Sequence, residues 1–316
     1  MLLDASFLSG AKVGIARYIE KISEHLATQC RLTVLTSAAS SFNSRTCEIV
    51  TVPTWTRHRL AGTLWELGWI RALPKRGFDV LVCPTPICPP LAGAPVISVV
   101  HDLTPLIIRR GHSAKAKALF WTSMQTLRHA AAIVCDSRST LTDLSQLQLV
   151  PREKLHVVPP GPGLTPIGSQ PGPPFPYVLY VGGLPPHKNV GRLLRAFRLL
   201  NAKQLNFVVV GWGKKRHIDA AKRMARMLDL HARVTFLSGI ADSELSALYR
   251  HCRAFIYPSL YEGFGLPVLE ALAHGAPVAC SRTSSIPEIA GSAAIYFDPL
   301  SVTDIAEKLQ LLCDDT

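Results

Sequence analysis

The sequence predicts an α/β protein of two domains, each a parallel β-sheet covered by helices. Two observations predict it. Short apolar runs of strand length alternate with helical stretches from one end of the chain to the other, the pattern of parallel strands buried on both faces. The alternation breaks once, at Pro159–Pro176 (PPGPGLTPIGSQPGPPFP), where 8 prolines and 4 glycines exclude a regular element. The 316 residues suffice for two domains of ordinary size. The expected division is an N-terminal domain over 1–160, a linker over 161–176 and a C-terminal domain over 177–316.

Met1–Ala5 reads as the first strand, and Gly14–Leu26 as an amphipathic helix after a glycine-containing turn. Strands follow at Leu32–Thr36, Glu48–Val52, Val80–Cys83, Val96–Val100, Ala132–Cys135 and Lys154–Val158. Val80–Val100 carries no charge, but Pro84, Pro86, Pro89, Pro90 and Pro95 forbid a spanning helix, so it reads as two strands joined by a loop. Past the linker come strand Tyr177–Val181, a helix over Val190–Leu200, strand Phe207–Val210 and a helix over Ile218–Leu228. Strand Val234–Leu237, helix Ser243–His251, strand Ala254–Tyr257 and helix Pro267–Ala273 continue the series. Val278–Cys280 and Ala294–Phe297 complete the strands, and Asp304–Leu312 forms a last helix. Two such halves facing each other across a hinge are expected to hold a ligand in a cleft, at the carboxyl ends of the strands.

Hydrophobic content of 48% with 18% charged residues fits a well-packed soluble protein. The N-terminus has no charged start, apolar core and small-residue cleavage site, so no secretory signal is expected. Eight cysteines without C-x-x-C or zinc spacing read as reduced, mostly buried thiols, which points to the cytoplasm. The net charge is +12, and its excess is uneven: +8 over residues 1–160 (18 basic against 10 acidic) and +4 over the remainder (16 against 12). The cluster Arg57, Arg59, Arg71, Lys75 and Arg76, interleaved with Trp55, Trp65 and Trp69, suits an anionic membrane interface. Arg109, Arg110, Lys115, Lys117 and Arg128 form a second basic group. No nucleic-acid-binding signature accompanies the charge, so nucleic acid is not an expected partner.

The most informative stretch is Ala254–Pro277, AFIYPSLYEGFGLPVLEALAHGAP. A buried strand runs into a loop with Glu262, Gly263 and Gly265, then a helix opened by Pro267, which is favoured in a first helical turn. Glu262 and Glu270 put two carboxylates beside the N–H groups of Gly263, Phe264, Gly265 and Leu266. Those N–H groups and the helix dipole attract a phosphate. The carboxylates accept hydrogen bonds from a polyol. Together they suit a sugar nucleotide. Gly182 and Gly183 follow a strand and let backbone approach phosphate closely, with Lys188 as a nearby point charge. Gly211-Trp212-Gly213 also follows a strand, but Arg216 stands where a dinucleotide fingerprint needs its third glycine, so NAD is not expected. His101 and Asp102 end the strand Val96–Val100, and Gly10 and Gly14 lie in the loop after the first strand.

The Ala254–Pro277 stretch resembles the E-x7-E signature of the retaining glycosyltransferases of family 4. The resemblance continues through Ser284, Ser285, Ile286, Pro287 and Glu288, covers Tyr177–Asn189, and at His101–Pro105 is similar to bacterial mannosyltransferases. It implies the GT-B fold, two Rossmann-like domains facing across a cleft. It also implies crossover helices after Asp304–Leu312, which this sequence, ending at Thr316, is expected to lack. Glu262, His101 and Lys188 are the implied catalytic residues. Glu262 takes a donor-sugar hydroxyl, His101 the transferred sugar, and Lys188 the diphosphate. The implied donor-binding set is Glu270 on the ribose, Gly263 to Leu266 and the Gly182–Gly183 loop on the diphosphate, Gly211 on the base or ribose side, and Gly14 near the diphosphate and acceptor. Arg17, in the family-like string Gly14–Tyr18, reads as a helix-surface residue. The chain has no D-x-D motif, which favours the metal-independent type, with no metal and no cofactor. Leu184 and His187 stand where the family commonly carries an Arg.

The implied activity is retaining transfer of a hexose to a saccharide or polyprenyl-linked saccharide in surface polysaccharide synthesis. The donor is a GDP- or UDP-sugar, GDP-mannose first, at a cytoplasmic or peripheral inner-membrane site. A GT-B relative that binds a sugar nucleotide or a partner without turnover, or a GT-B epimerase, is the alternative.

Overall fold

The computed structural model describes residues 1–6, 8, 14–39, 42, 45–57, 77–90, 93–108, 111–202 and 204–314. The chain divides into two units, one of Met1–Ile107 with His112–Gly163, the other of Ile108–Gly111 with Leu164–Thr316.

The first unit is built on seven parallel strands, β1 (Leu2–Ala5), β2 (Thr33–Thr36), β3 (Glu48–Thr51), β4 (Leu81–Cys83), β5 (Val96–Val100), β6 (Ala132–Cys135) and β7 (Leu155–Val157). Their order in the sheet is β3-β2-β1-β4-β5-β6-β7. Helices α1 (Ile15–Gln29), α2 (Thr104–Ile107), α3 (Ala114–Thr126) and α4 (Arg138–Gln146) connect them. β1 is buried at all its positions, as a strand covered on both faces must be. Strand order reverses between β1 and β4, a topological switch point at whose carboxyl edge such sheets bind ligands.

The second unit repeats the winding. Its strands are β8 (Tyr177–Gly183), β9 (Asn206–Trp212), β10 (Val234–Leu237), β11 (Ala254–Tyr257), β12 (Val278–Ser281) and β13 (Ile295–Phe297). They are parallel in the order β10-β9-β8-β11-β12-β13, with the switch point between β8 and β11. The helices are α5 (Val190–Leu199), α6 (Lys215–Met227), α7 (Asp242–His251), α8 (Leu266–Ala273), α9 (Ile286–Ala290) and α10 (Val302–Asp314). The core is rich in aromatics: Tyr177, Tyr180, Tyr249, Tyr257, Phe197, Phe207 and Phe255 are fully buried. Each buried tyrosine hydroxyl needs a partner. Tyr177 donates to Leu248 O (2.9 Å) and Tyr180 to Gly183 O (2.7 Å). The other two tyrosines meet charged side chains, described below.

Four helices went unread in the sequence. α3 carries its apolar residues without a clear stripe, and α4 is a short, mostly polar run with only two leucines, Leu141 and Leu144, so its helical signal is slight. Each is instead started by a serine cap: Ser113 Oγ accepts from Ala116 N (3.2 Å) and Ser137 Oγ from Thr140 N (3.0 Å). α2 and α9 are single short turns. Arg17 is a correction: it is buried rather than at the helix surface, in the first turn of α1, where its neighbours Ala16 and Tyr18 pack against the core of the first unit.

The proline-rich segment has no regular structure over residues 158–176, yet it is fastened to the second unit. Leu164 joins that core, and Ile167 N donates to Ser246 Oγ on α7 (3.0 Å). Arg250 Nη1 donates to Gly168 O (2.6 Å). Gly172 lies so close to α7 that a Cβ there would stand 2.5 Å from His251 Cβ. Arg59, Trp65, Trp69, Arg71, Lys75, Arg76, Arg109, Arg110, Gly10 and the Arg57 side chain lie outside the described residues. All eight cysteines are free thiols, and six are buried. Among the described residues, no helix is long and apolar enough to cross a membrane.

Candidate functional site

The loops after β8 and β11 leave the second sheet on either side of its switch point. They are stitched together. Leu260 N donates to His187 O (2.8 Å), and Asn189 Nδ2 donates to Pro258 O (3.1 Å) and Pro299 O (2.7 Å). Asn189 holds a left-handed conformation (φ 61°), which turns the chain from the loop into α5. Lys188 is thereby aimed at the β11 loop. Its Nζ donates to Glu262 Oε1 (2.5 Å) and Tyr257 OH (3.3 Å) and stands 5.6 Å from the Tyr257 ring centroid. The two charged side chains are only 16% and 10% exposed.

A carboxylate so enclosed needs compensation. Burial alone raises the Glu262 carboxyl. The Lys188 charge, with hydrogen bonds from Lys188, Ser259 and Tyr257, outweighs burial and holds the group below its ordinary value of 4.5. The same charge acts on the neighbouring phenols. Burial first, then Glu262, pushes Tyr180 and Tyr257 well above their ordinary range. Glu262 is therefore an ionised acceptor, ready for a ligand hydroxyl.

Two serines fix the backbone of this loop. Glu262 N donates to Ser284 Oγ (2.8 Å), while Ser285 Oγ bonds Glu262 O (3.1 Å) and Phe264 O (2.6 Å). Gly265 (φ 114°) then starts α8, with Pro267 in its first turn, so Gly263 to Leu266 form the turn into the helix. The first N–H groups of any helix lack intrahelical acceptors. One helical turn on, Glu270 is buried and accepts from Tyr249 OH (3.0 Å). His274 closes the helix through Nδ1 on Glu270 O (2.7 Å) and Nε2 on Ser246 Oγ (3.0 Å).

Gly182, Gly183 and Gly211 lie in the last two positions of the paired strands β8 and β9, Gly182 opposite Gly211 and Gly183 opposite Trp212. Their packing explains the absence of side chains. A Cβ on Gly182 would stand 2.8 Å from Tyr180 OH, and one on Gly211 would stand 2.9 Å from Leu184 Cδ1. Leu184, where the resemblance expects a cation, is a core residue.

The first unit has its own cluster. His101 and Asp136 directly follow Val100 and Cys135, a register pair of β5 and β6. His101 Nδ1 meets Asp136 Oδ2 at 2.8 Å, and the Tyr18 ring packs edge-on against the imidazole (centroids 4.9 Å apart, 80° between planes). Gly14 (φ 54°) precedes α1, which carries Tyr18. Asp102 caps α2 instead, its Oδ1 accepting from Thr104 N (2.7 Å).

Tyr257, Tyr249, Tyr18 and Asp136 are site neighbours that sequence reasoning missed. The tyrosines hide among core-forming aromatics. Asp136 had a faint signal, because Cys135-Asp136-Ser137 leaves its strand on an Asp much as Val100-His101-Asp102 does.

Two families match the chain: Glycosyltransferase Family 4 over residues 13–162 and Glycosyl transferases group 1 over residues 169–316. Among curated relatives, O-antigen chain mannosyltransferase B of Escherichia coli is 38% identical over 147 residues, which are 44% of this chain and 38% of that protein. The serotype-specific mannosyltransferase WbdA of Escherichia coli is 24% identical over 69% of this chain and 29% of its own length. The chain thus spans well under half of either relative. The O-antigen chain mannosyltransferase RfbU of Salmonella typhimurium is 28% identical over 79% of this chain and 72% of its own. Among solved structures, HepE of Anabaena, crystallised with UDP and glucose, superposes with a TM-score of 0.77 at 18% identity, covering 100% of this chain and 90% of that one. WaaG, a glycosyltransferase of lipopolysaccharide biosynthesis, gives 0.77 at 17% identity, covering 99% and 90%. At such identities these likenesses speak for the fold alone.

Proposed function

From a chain that belongs to the GT-B glycosyltransferases, matched in both its halves, we propose retaining transfer of a hexose from a sugar nucleotide to a saccharide or lipid-linked saccharide acceptor. The observation that carries it is the enclosed Lys188–Glu262 pair at the switch point between β8 and β11. A buried cation matched to one carboxylate suits a ligand that is anionic at one end and a polyol at the other. The diphosphate takes the Lys188 charge and the N–H groups at the start of α8. A sugar hydroxyl donates to Glu262, and the ribose hydroxyls donate to Glu270. His101 takes the transferred sugar.

In the reaction the bond from the anomeric carbon to the diphosphate breaks and a bond to the acceptor oxygen forms on the same face. The acceptor proton passes to the departing phosphate oxygen, so the anomeric configuration is kept. Catalysis then consists of positioning and of stabilising the leaving charge, without a metal. Mannose is the proposed sugar and GDP-mannose the proposed donor, in keeping with the mannosyltransferases among the O-antigen relatives.

A donor screen tests the reading: release of GDP or UDP with and without a membrane lipid extract, followed by NMR of the product's anomeric centre. Acceptor-stimulated release of GDP with a product of retained configuration is expected. Binding of a sugar nucleotide with no turnover under any condition would establish the binding-only alternative. A changed sugar on the free nucleotide would establish an epimerase.

A further inference from the structure

The cluster at the carboxyl edge of the first sheet holds two buried atoms that the fold leaves without use. His101 Nε2 and Asp136 Oδ1 have no hydrogen-bond partner among the described residues. Their side chains are 11% and 8% exposed. Native structures satisfy almost all such atoms, so a pair left open beside a strand edge points to a ligand. The ring is also held firmly. Asp136 Oδ2 lies 2.8 Å from Nδ1, the Tyr18 ring packs against the imidazole in a T-shaped arrangement, and Thr140 Oγ1 donates to the His101 carbonyl at 3.4 Å. Thr140 is itself tied to the cap of α4, since its N–H donates to Ser137 Oγ. Groups from three elements, the end of β6, α1 and α4, thus converge on His101.

We propose that Asp136 is a positioning residue. By accepting the Nδ1 proton it fixes the tautomer in which His101 Nε2 is bare, and it holds that nitrogen as the acceptor for a hydroxyl of the sugar ligand. The carboxylate is acceptor-only, so the nitrogen it faces carries the proton, and in the neutral ring the opposite nitrogen is the lone-pair site. This rests on the transferase reading for the identity of the ligand. The tautomer claim does not.

The test uses the whole chain with its histidine nitrogens labelled and His101 assigned through His101→Gln. Nitrogen–proton NMR is expected to show a proton on Nδ1 and a bare Nε2 in the wild type. Asp136→Ala is expected to lose that preference, and Asp136→Asn, which keeps an acceptor oxygen, to restore part of it. In the transfer assay Asp136→Ala should lower kcat about 100-fold while leaving GDP binding by calorimetry unchanged. Adding Asp136→Ala to His101→Gln should cost nothing further. A wild-type proton on Nε2 would overturn the proposal, as would full kcat in an Asp136→Ala protein whose melting temperature matches the wild type. A wild type without turnover rejects the transferase reading instead, and the NMR still decides the role of Asp136.

Discussion

Glu262 and Lys188 illustrate how one buried pair shapes its surroundings. Removing one member of such a pair leaves the other uncompensated, at a cost of about 3 kcal/mol. Glu262→Gln is therefore expected to lower stability by roughly that amount near neutral pH, read from denaturant melts. The pH dependence has a definite sign. The folded carboxyl sits below its ordinary value of 4.5, so its contribution is complete above that value and is lost as pH falls through the depressed one. The gap between wild type and Glu262→Gln should thus close on acidification. A gap that stays constant or widens would show that Lys188 does not stabilise the charge. Glu262, Glu270 and Lys188 were legible in the sequence because each sits in a short loop or helix start whose chemistry is local. Their partners were not. Tyr257 lies 69 positions from Lys188, and Asp136 lies 35 from His101, so only the folded sheets bring them together.

Elements position these residues through a few glycines and serines. Gly265 holds φ 114° at the start of α8, a conformation that L side chains rarely adopt. Gly265→Ala should cost about 1–3 kcal/mol and weaken nucleotide binding, since it disturbs the turn carrying Gly263 to Leu266. Unchanged stability would mean that the turn relaxes freely. Gly211 is different, because its conflict is with one side chain. Gly211→Ala places a Cβ 2.9 Å from Leu184 Cδ1, so Leu184→Ala in the same chain should recover part of the loss. Strictly additive effects would contradict that account. Strands were legible because continuous apolar runs are the mark of sheets buried on both faces. Helices α3 and α4 were not, because α3 has no apolar stripe and α4 is short with only two leucines, while the serine caps that start them are single residues. The proline-rich stretch shows the same limit: composition excludes regular structure there, but its fastening to Ser246 and Arg250 on α7 depends on contacts far along the chain.

Both units wind their sheets in one pattern, with a strand-order reversal beside the first strand of each. That symmetry was visible as two strand–helix series separated by Pro159–Pro176. The two carboxyl edges offer different groups. The second unit presents the Lys188 cation with Glu262 and Glu270, and the first an imidazole with an open nitrogen beside Asp136. A transferase that relies on Lys188 and backbone N–H groups needs no divalent ion, so EDTA should leave the rate of transfer unchanged. A rate abolished by EDTA and restored by magnesium would refute that part of the mechanism. The central claim is that the Lys188–Glu262 pair carries the transfer. Its most direct test is acceptor-dependent release of GDP from GDP-mannose by the wild type, Glu262→Gln and Lys188→Met side by side, with folding of each verified by its melting curve. The account predicts turnover in the wild type and a loss of about 100-fold or more in both folded variants. Turnover in either variant at the wild-type rate would contradict it.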